Sequence, residues 1–217
     1  MIKTAYQLSS KKKLAANADL FSEKDLAESY ITEFSSNQYI HKEGEELDFL
    51  FYILQGKAKI LKNEENGKAV LIQFVKAGDI IGDLTLLEAE TMTKDVVSIG
   101  STVCLAIPIR YARTVLLNRN SFLRKISKYM GEKLLLRMDH FAANQTYELK
   151  YRLAELLLEV SVDDVYKEKH TEIAEYLGVS YRHLLHTLKQ FREQGLIEKQ
   201  NSVYVIDRKG LEEYLSL

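Results

Sequence analysis

The spacing of apolar residues changes along the chain, and each pattern predicts a different structure. Up to about Phe34 the pattern favours helix, with Ser22 as an N-cap and Asp25 three residues later. From Gln38 to Pro108, short runs of β-branched and aromatic residues alternate with turn residues, as in β-strands. The predicted strands are Tyr39–His41, Phe49–Leu54, Lys57–Leu61, Ala69–Val75, Val96–Ile99 and Val103–Ile107. Short strands at this spacing predict an antiparallel barrel or sandwich.

Glycine-containing segments separate the predicted strands. Asn66-Gly67 lies between two apolar runs and predicts a type I′ hairpin turn, which needs positive φ at both central residues. Gln55-Gly56-Lys57 and Ile99-Gly100-Ser101 are likewise predicted to be turns between separate strands.

After Pro108 the apolar period becomes helical. An apolar stripe advances by three or four residues, with Arg137 filling one gap. The stripe consists of Leu123, Ile126, Met130, Leu134 and Phe141. A helix from about Asn120 to Asn144 is roughly 37 Å long, so its stripe packs on the barrel, on a second copy of itself, or on both. The pattern breaks near Thr146, which predicts a strand-rich domain (1–119), a long helix (120–145) and a C-terminal domain (146–217).

The most specific signal is the segment from His170 to Phe191, which predicts two short helices and a tight turn. Ala174 is small where the helices cross, Gly178 ends the first helix, and Ser180 can cap the second. The second helix is predicted to bury its three leucines, Leu184, Leu185 and Leu188. This pattern matches a helix-turn-helix, whose second helix enters the major groove of DNA.

A small hairpin follows these helices. Gly195 ends the second helix, and Leu196-Ile197 can pair with Val203–Ile206 as a two-stranded wing. The alternative is a helical hairpin that only packs, because acidic residues in the segment nearly cancel the basic ones. The glycine and serine spacing together with the wing favours DNA binding.

Composition narrows the function classes. The 217 residues carry 30 basic and 31 acidic side chains, so any nucleic-acid-binding surface must be local. Cys104 is the only cysteine, which excludes an intrachain disulfide and a self-sufficient iron–sulfur cluster. We expect Cys104 to be a buried apolar residue, and His41 and His140 to be surface residues rather than metal or haem ligands. With neither a signal peptide nor a membrane span in the sequence, we expect a cytoplasmic protein that has no membrane partner.

The whole pattern resembles the Crp/Fnr superfamily of bacterial transcription regulators. Phe51–Gly56 is similar to the family's Tyr-Tyr-Ile-hydrophobic-x-Gly strand, and 67–84 to the run that leads into its phosphate-binding cassette. Leu123–Ala143 lies where the family has its dimer helix, and Glu148 and Arg152 lie near its hinge. The segment from Ser180 to Leu184 resembles the YeiL-like branch of the family.

The resemblance implies an α+β fold and a regulatory function. The implied fold comprises an N-terminal antiparallel β-roll (or jelly roll) of the cyclic-nucleotide-binding type, a long dimerisation helix and a C-terminal winged helix-turn-helix. We then expect a homodimer that pairs through the helical stripe with Arg137, binds palindromic double-stranded DNA, and contacts RNA polymerase if it activates transcription. No enzymatic activity is expected. The alternative is a β-roll that binds a small ligand without acting on DNA.

The resemblance also places an effector pocket. Gly82, Asp83 and Leu84 match the Gly-Glu-Leu of cyclic-nucleotide-binding members, with a shorter acid. Where those members have a phosphate-binding arginine, this chain has Thr93, followed by Lys94. Lysine lacks the planar fork that holds two phosphate oxygens. On the helix, Arg137 and Met138 would meet the base. We therefore expect an effector other than cyclic AMP, or none.

The candidate DNA contacts lie around the second helix of the motif. Arg182 is the candidate for a bidentate contact to guanine O6 and N7, and Tyr181 and His186 are candidates for a base edge or a phosphate. The candidate positioning contacts, which contact phosphate and read no sequence themselves, are Ser180, Lys189 and His170. His183 and Thr171 are further candidate DNA contacts, with no particular role assigned.

Overall fold

The computed structural model describes residues 2–4 and 20–216. The chain divides into two compact units, of which the first ends at Lys133 and the second begins at Leu134. None of the helices among these residues is long and apolar enough to cross a membrane.

The first unit is built on an antiparallel sheet of seven described strands. They are β1 (Ile2–Thr4), β2 (Tyr30–Phe34), β3 (Tyr39–His41), β4 (Phe49–Asn63), β5 (Ala69–Lys76), β6 (Ile80–Ile81) and β7 (Asp95–Pro108). The order across the sheet is β1-β2-β7-β4-β5, while β3 pairs with β7 and β6 with β4. The expected antiparallel β-rich N-terminal fold is confirmed.

Two of the predicted turns are bends within long strands. Gly56 lies inside β4 with a φ of +87°, and Gly100 lies inside β7 with a φ of +69°. A Cβ atom on Gly56 would lie 2.3 Å from the Ser101 carbonyl oxygen, so only glycine permits this approach of the two strands. The four strands predicted here therefore merge into two, and β4 pairs with β7 from Phe49 to Leu61.

The β4–β5 hairpin is also not the predicted type I′ turn. Gly67 has a φ of +79°, whereas Asn66 has a negative φ. The Gly67 N–H donates to the Glu64 carbonyl at 2.9 Å, and the Glu64 N–H donates to the Lys68 carbonyl at 2.8 Å. The loop is thus a type I turn followed by a glycine in the left-handed conformation. It is one residue longer than the predicted two-residue type I′ turn.

The prediction of helix up to Phe34 is wrong at both ends of the described part, since residues 2–4 form β1, which pairs with β2. Helix α1 covers only Glu23–Ala27, and the following β-branched and aromatic residues pair with β7 as β2. The Ser22 cap is confirmed, because its oxygen accepts from the Asp25 N–H at 3.4 Å and the Ser22 N–H donates to the Asp25 carboxylate at 2.6 Å. Residues 5–19, which fall within the same prediction, lie outside the described residues.

The core of the first unit extends to the start of the long helix. The helices here are α2 (Asp83–Leu86), α3 (Ile109–Tyr111, continued by a π-helical turn Ala112–Leu116) and α4 (Asn120–Thr146). Phe122 and Ile126 of α4 belong to the same buried apolar cluster as Leu50, Leu105 and Ile107 of the sheet. Ile126 is only 1% exposed, so the prediction that it lines a dimer interface is wrong. The predicted long helix itself is confirmed.

The second unit contains the end of α4 and a helical module with a small sheet. Its elements are α5 (Leu149–Val160), β8 (Val165–Tyr166), α6 (His170–Tyr176), α7 (Tyr181–Glu193), β9 (Ile197–Gln200), β10 (Val203–Ile206) and α8 (Arg208–Leu215). The strand order is β8-β10-β9, all antiparallel. The wing therefore has a third strand, and α8 follows it; the apolar pattern predicted neither.

The close approach at Gly56 gives a test of this fold. We expect Gly56→Ala to lower the free energy of unfolding by about 3 kcal/mol, because the new Cβ combines a left-handed backbone with a steric overlap. Gly67→Ala is the matched control: it shares the positive φ but has no atom within 4 Å of the new Cβ, so it costs about 1 kcal/mol. Urea denaturation followed by circular dichroism measures both losses. Equal losses would contradict the close approach.

Candidate nucleic-acid interface

Helices α6 and α7 form a helix-turn-helix whose turn is fixed by two residues. Gly178 has a φ of +64°, and its N–H donates to the Glu175 carbonyl at 3.0 Å where α6 ends. Ser180 caps α7, because its side-chain oxygen accepts from the His183 N–H at 3.2 Å. The structure confirms both predicted local roles, and together they fix the start of α7 at Tyr181.

One face of α7 is buried and the opposite face is polar. The buried side chains are Leu184, Thr187, Leu188 and Phe191. Arg182 lies almost opposite this stripe, since each residue turns the helix by about 100°. The structure exposes five of the candidate DNA contacts together on this helix: Tyr181, Arg182, His183, His186 and Lys189. We call these five side chains the polar edge of α7.

The prediction that Leu185 is buried is wrong. Leu185 is 38% exposed, because it follows Leu184 by one residue and therefore lies about 100° away from the buried stripe. Lys189 of the polar edge lies 3.6 Å from the Glu193 carboxylate. That ion pair is exposed and weak, so it leaves the lysine able to meet another anion.

The two remaining candidate contacts occupy the first turn of α6. Thr171 is exposed, whereas His170 is half-buried with its ring 6.0 Å from Tyr166 and 5.6 Å from Tyr204. Burial, aided by the charge of Lys199, lowers the pKa of His170 and favours the neutral imidazole. His170 therefore packs α6 against the small sheet.

An arginine connects the end of α4 to the helix-turn-helix. Arg152 of α5 donates to the Asn144 side-chain oxygen at 2.7 Å and to the Leu177 carbonyl at 2.6 Å. Its Nε donates to the Tyr147 carbonyl at 3.0 Å. The guanidinium thus joins α4, the connection to α5 and the C-terminus of α6. The resemblance placed Arg152 near a hinge, but the sequence did not show these partners.

Comparison with known proteins decides what kind of module this is. Residues 31–119 match the family model of the cyclic nucleotide-binding domain, and residues 151–214 match that of the Crp-like helix-turn-helix domain. The chain is 38% identical to regulatory protein YeiL of Escherichia coli O157:H7 over 186 residues, which cover 85% of each chain.

The chain belongs to the Crp/Fnr family of transcription regulators.

More distant members agree with this assignment. The Crp/Fnr chain is 24% identical to the cAMP-activated global transcriptional regulator CRP of Salmonella typhimurium over 192 residues, which cover 83% of this chain and 91% of that one. It shares its fold with a CRP/FNR-family transcriptional regulator from Thermus thermophilus, with a TM-score of 0.66 and 19% identity. That similarity covers 86% of this chain and 98% of the other.

In this Crp/Fnr chain, a buried ion pair joins α4 to the turn that the sequence resemblance matches to the cassette of cyclic-nucleotide binders. Gly82 adopts a φ of +89° and precedes α2. The Asp83 carboxylate accepts from the Lys133 ammonium group of α4 at 2.6 Å, and each side chain is 6% exposed. Leu84, the third predicted residue of this turn, is half-buried. The acid that the resemblance assigns to an effector therefore has a cationic partner within the first unit.

Two further residues of the predicted pocket, Thr93 and Lys94, are also engaged in contacts within the chain. Thr93, in the place of the arginine, is buried and shares a hydrogen bond of 2.6 Å with Thr85. Lys94 forms an ion pair with Glu90. Arg137 and Met138 belong to the second unit, where both are exposed.

Sequence reasoning missed the polar residues of α4 that contact this turn. Lys133 follows Met130 by three residues and therefore lies on the apolar stripe. A charged residue at such a position was the signal in the sequence that could have indicated a buried contact. The Tyr129 hydroxyl accepts from the Ile80 N–H at 3.0 Å and lies 3.3 Å from the Asp79 carboxylate. Burial raises the pKa of Asp79, which favours its protonated form more than in water.

Predictions about three single side chains have different outcomes. His41 is 7% exposed, so the prediction of a surface residue is wrong, and burial lowers the pKa of His41 despite nearby carboxylates. His140 is half-buried and stacks on Tyr176 with ring centres 4.3 Å apart. Cys104 is confirmed as a buried residue within β7, and burial raises its pKa to about 12. Over residues 2–4 and 20–216, no group of His, Cys, Asp or Glu is arranged to hold a metal.

The buried Asp83–Lys133 pair predicts an asymmetric mutational response. Lys133→Met leaves a buried carboxylate without its cation and is expected to cost about 3 kcal/mol of unfolding free energy. The double variant Asp83→Asn/Lys133→Met removes both charges and should recover most of that loss. Lys128→Met, which breaks the exposed pair with Glu132 on the same helix, is the control and should cost at most about 0.5 kcal/mol.

Denaturant titrations of the three variants measure these differences. A double variant as unstable as the Lys133→Met single variant would contradict a charge pair that is coupled in the folded state.

Proposed function

We propose that this Crp/Fnr regulator acts in the cytoplasm as a homodimer that binds a palindromic DNA operator, without enzymatic activity. The observation that carries the proposal is the polar edge of α7, which the buried stripe of the same helix turns toward solvent. A helix-turn-helix presents such an edge to the bases of the major groove.

Arg182 is proposed as the residue that reads a guanine. A guanidinium donates two parallel hydrogen bonds to guanine O6 and N7, a contact that discriminates against other bases by roughly 1–3 kcal/mol. Tyr181 and His186 lie beside it and are proposed to meet base edges or phosphates. The proposed phosphate contacts, which position α7 on the duplex, are Ser180, Lys189 and His170. His183 and Thr171 are further proposed DNA contacts, with no particular role assigned.

The second half of α4 is proposed as the dimer interface. Leu134 and Phe141 of the predicted stripe are 59% and 68% exposed. Their neighbours Leu135, Leu136 and Met138 are similarly exposed, and contiguous apolar surface of this kind marks an interface. Leu123, Met130 and Arg137 complete the proposed contact, whereas Ile126 belongs to the core. A second copy of the helix is the occupant that its length and heptad-like stripe suit.

Dimerisation determines what kind of operator fits. A two-fold axis repeats the polar edge, so the two recognition helices meet half-sites about 34 Å apart in successive major grooves. The operator is then palindromic. If the bound dimer activates transcription, RNA polymerase is its further partner.

The effector is proposed to be a molecule other than cyclic AMP, or to be dispensable. Asp83 already has a cationic partner in Lys133 at 2.6 Å. Thr93 supplies no positive charge for a cyclic phosphate, and the charge of Lys94 is countered by Glu90. These contacts support a cassette that has lost the features needed for a cyclic nucleotide.

Selection from random duplexes tests DNA recognition. We expect a palindromic consensus and an affinity that falls steeply with salt, because bound phosphates release counterions. Arg182→Ala should relax the preference at one base pair of each half-site. Lys189→Ala, the matched control on the same edge, should weaken binding to all sequences alike and reduce the salt slope by about one per protomer. Failure to select any sequence would contradict the proposal and favour a ligand-binding protein that does not act on DNA.

The dimer interface has its own test. Leu134→Glu combined with Phe141→Glu should yield a monomer in analytical ultracentrifugation, with an unchanged circular dichroism spectrum and greatly weakened operator binding. Ser127→Glu, an exposed change on the same helix, should leave the dimer intact. A double variant that stays dimeric would contradict the proposed interface.

A further inference from the structure

Two exposed apolar side chains lie together on α7. Between residues 148 and 216, the large apolar side chains exposed in the structure are Tyr181, at 49%, and Leu185, at 38%. They are four residues apart, so they are neighbours on successive turns of the helix. We call the ring of Tyr181 together with Leu185 the apolar strip of α7, while the Tyr181 hydroxyl group remains part of the polar edge. Because α7 is the helix proposed to enter the major groove, the strip would face the edges of the base pairs.

Leu185 lies beside the proposed guanine-reading residue. Three residues along an α-helix turn the side chain by about 60° from Arg182 and advance it by about 4.5 Å. Successive base pairs rise by about 3.4 Å along each strand. A helix that brings Arg182 to one base pair therefore brings Leu185 to an adjacent base pair.

The chemistry of leucine selects one group in the major groove. Leucine neither donates nor accepts a hydrogen bond, so it gains nothing from the polar edges of guanine, adenine or cytosine. Thymine alone presents a C5-methyl group there, and apolar side chains contact it. The flanking cations Arg182 and Lys189 make DNA, rather than an apolar protein surface, the occupant that suits this strip.

We propose that Leu185 is a specificity-determining residue that contacts a thymine methyl group next to the base pair read by Arg182. The inference rests on the proposed DNA-binding function and adds a second base preference to it. The sequence pattern concealed this role, because it predicted that Leu185 would be buried.

Replacing thymine by deoxyuridine in the selected operator tests the contact. Deoxyuridine lacks only the methyl group and keeps the same base pairing. Each thymine of one half-site is replaced in turn, and the dissociation constant of the full chain is measured at fixed salt. At one position we expect affinity to fall about fourfold, the factor for withdrawing one methyl group from an apolar contact. Replacement in both half-sites should lower it about sixteenfold, the product of two such losses.

Two variants identify the protein side of the contact. Leu185→Ala should bind the thymine operator more weakly and show no further loss with deoxyuridine at that position. Gln190→Ala is the matched control, an exposed change on the same helix that lies away from the apolar strip. It should keep the full fourfold sensitivity. Circular dichroism confirms that each variant is folded.

The outcomes separate the inference from the function on which it rests. Loss of deoxyuridine sensitivity in Leu185→Ala alone supports the contact. Selective operator binding without deoxyuridine sensitivity at any thymine, or with equal sensitivity in Leu185→Ala, overturns the inference and leaves the proposed function standing. Failure to select an operator at all overturns both.

Discussion

The packing of one face of α7 determines what the rest of that helix can do. Leu184, Leu188 and Phe191 are buried almost completely, and this stripe fixes the rotation of the helix about its own axis. Because each residue turns the helix by about 100°, the same stripe directs Arg182 away from the core. The Ser180 cap and the left-handed Gly178 set where the helix begins. The presentation of Arg182 to DNA therefore follows from the burial of the opposite face of α7 rather than from an excess of positive charge in the chain.

The first unit shows how a ligand-binding fold can satisfy its own polar groups. Lys133 of α4 forms an ion pair with Asp83 in one turn. The Tyr129 hydroxyl of the same helix hydrogen-bonds to the Asp79 carboxylate in another turn. Both contacts connect a barrel loop to the helix whose continuation is proposed to dimerise. In this chain, the Lys133 side chain contacts Asp83, the acid that the resemblance assigns to an effector. The fold of the family is retained, and the proposal of an effector other than cyclic AMP rests on these contacts.

Local patterns predicted the elements well and their long-range contacts poorly. The long helix, the helix-turn-helix and the Ser22 cap were predictable, because each depends on residues within a few positions of one another. Gly56 and Gly100 were interpreted as turns, since a bend inside a paired strand and a turn between strands share the same glycine signal. The Asp83–Lys133 pair joins residues 50 apart, so no local spacing reveals it. Leu185 was misplaced because a run of two leucines does not show which one meets the core.

The most direct test locates α7 on DNA. Cys104 is the only cysteine and is fully buried, so Gln190→Cys provides the one reactive thiol, on the exposed side of α7. An iron chelate attached to it cleaves the nearest sugars of the selected duplex. We expect two clusters of cleavage about 10 base pairs apart, each bordering a major groove. A single cluster, cleavage across the minor groove, or scattered cleavage would contradict a pair of recognition helices presented by this face.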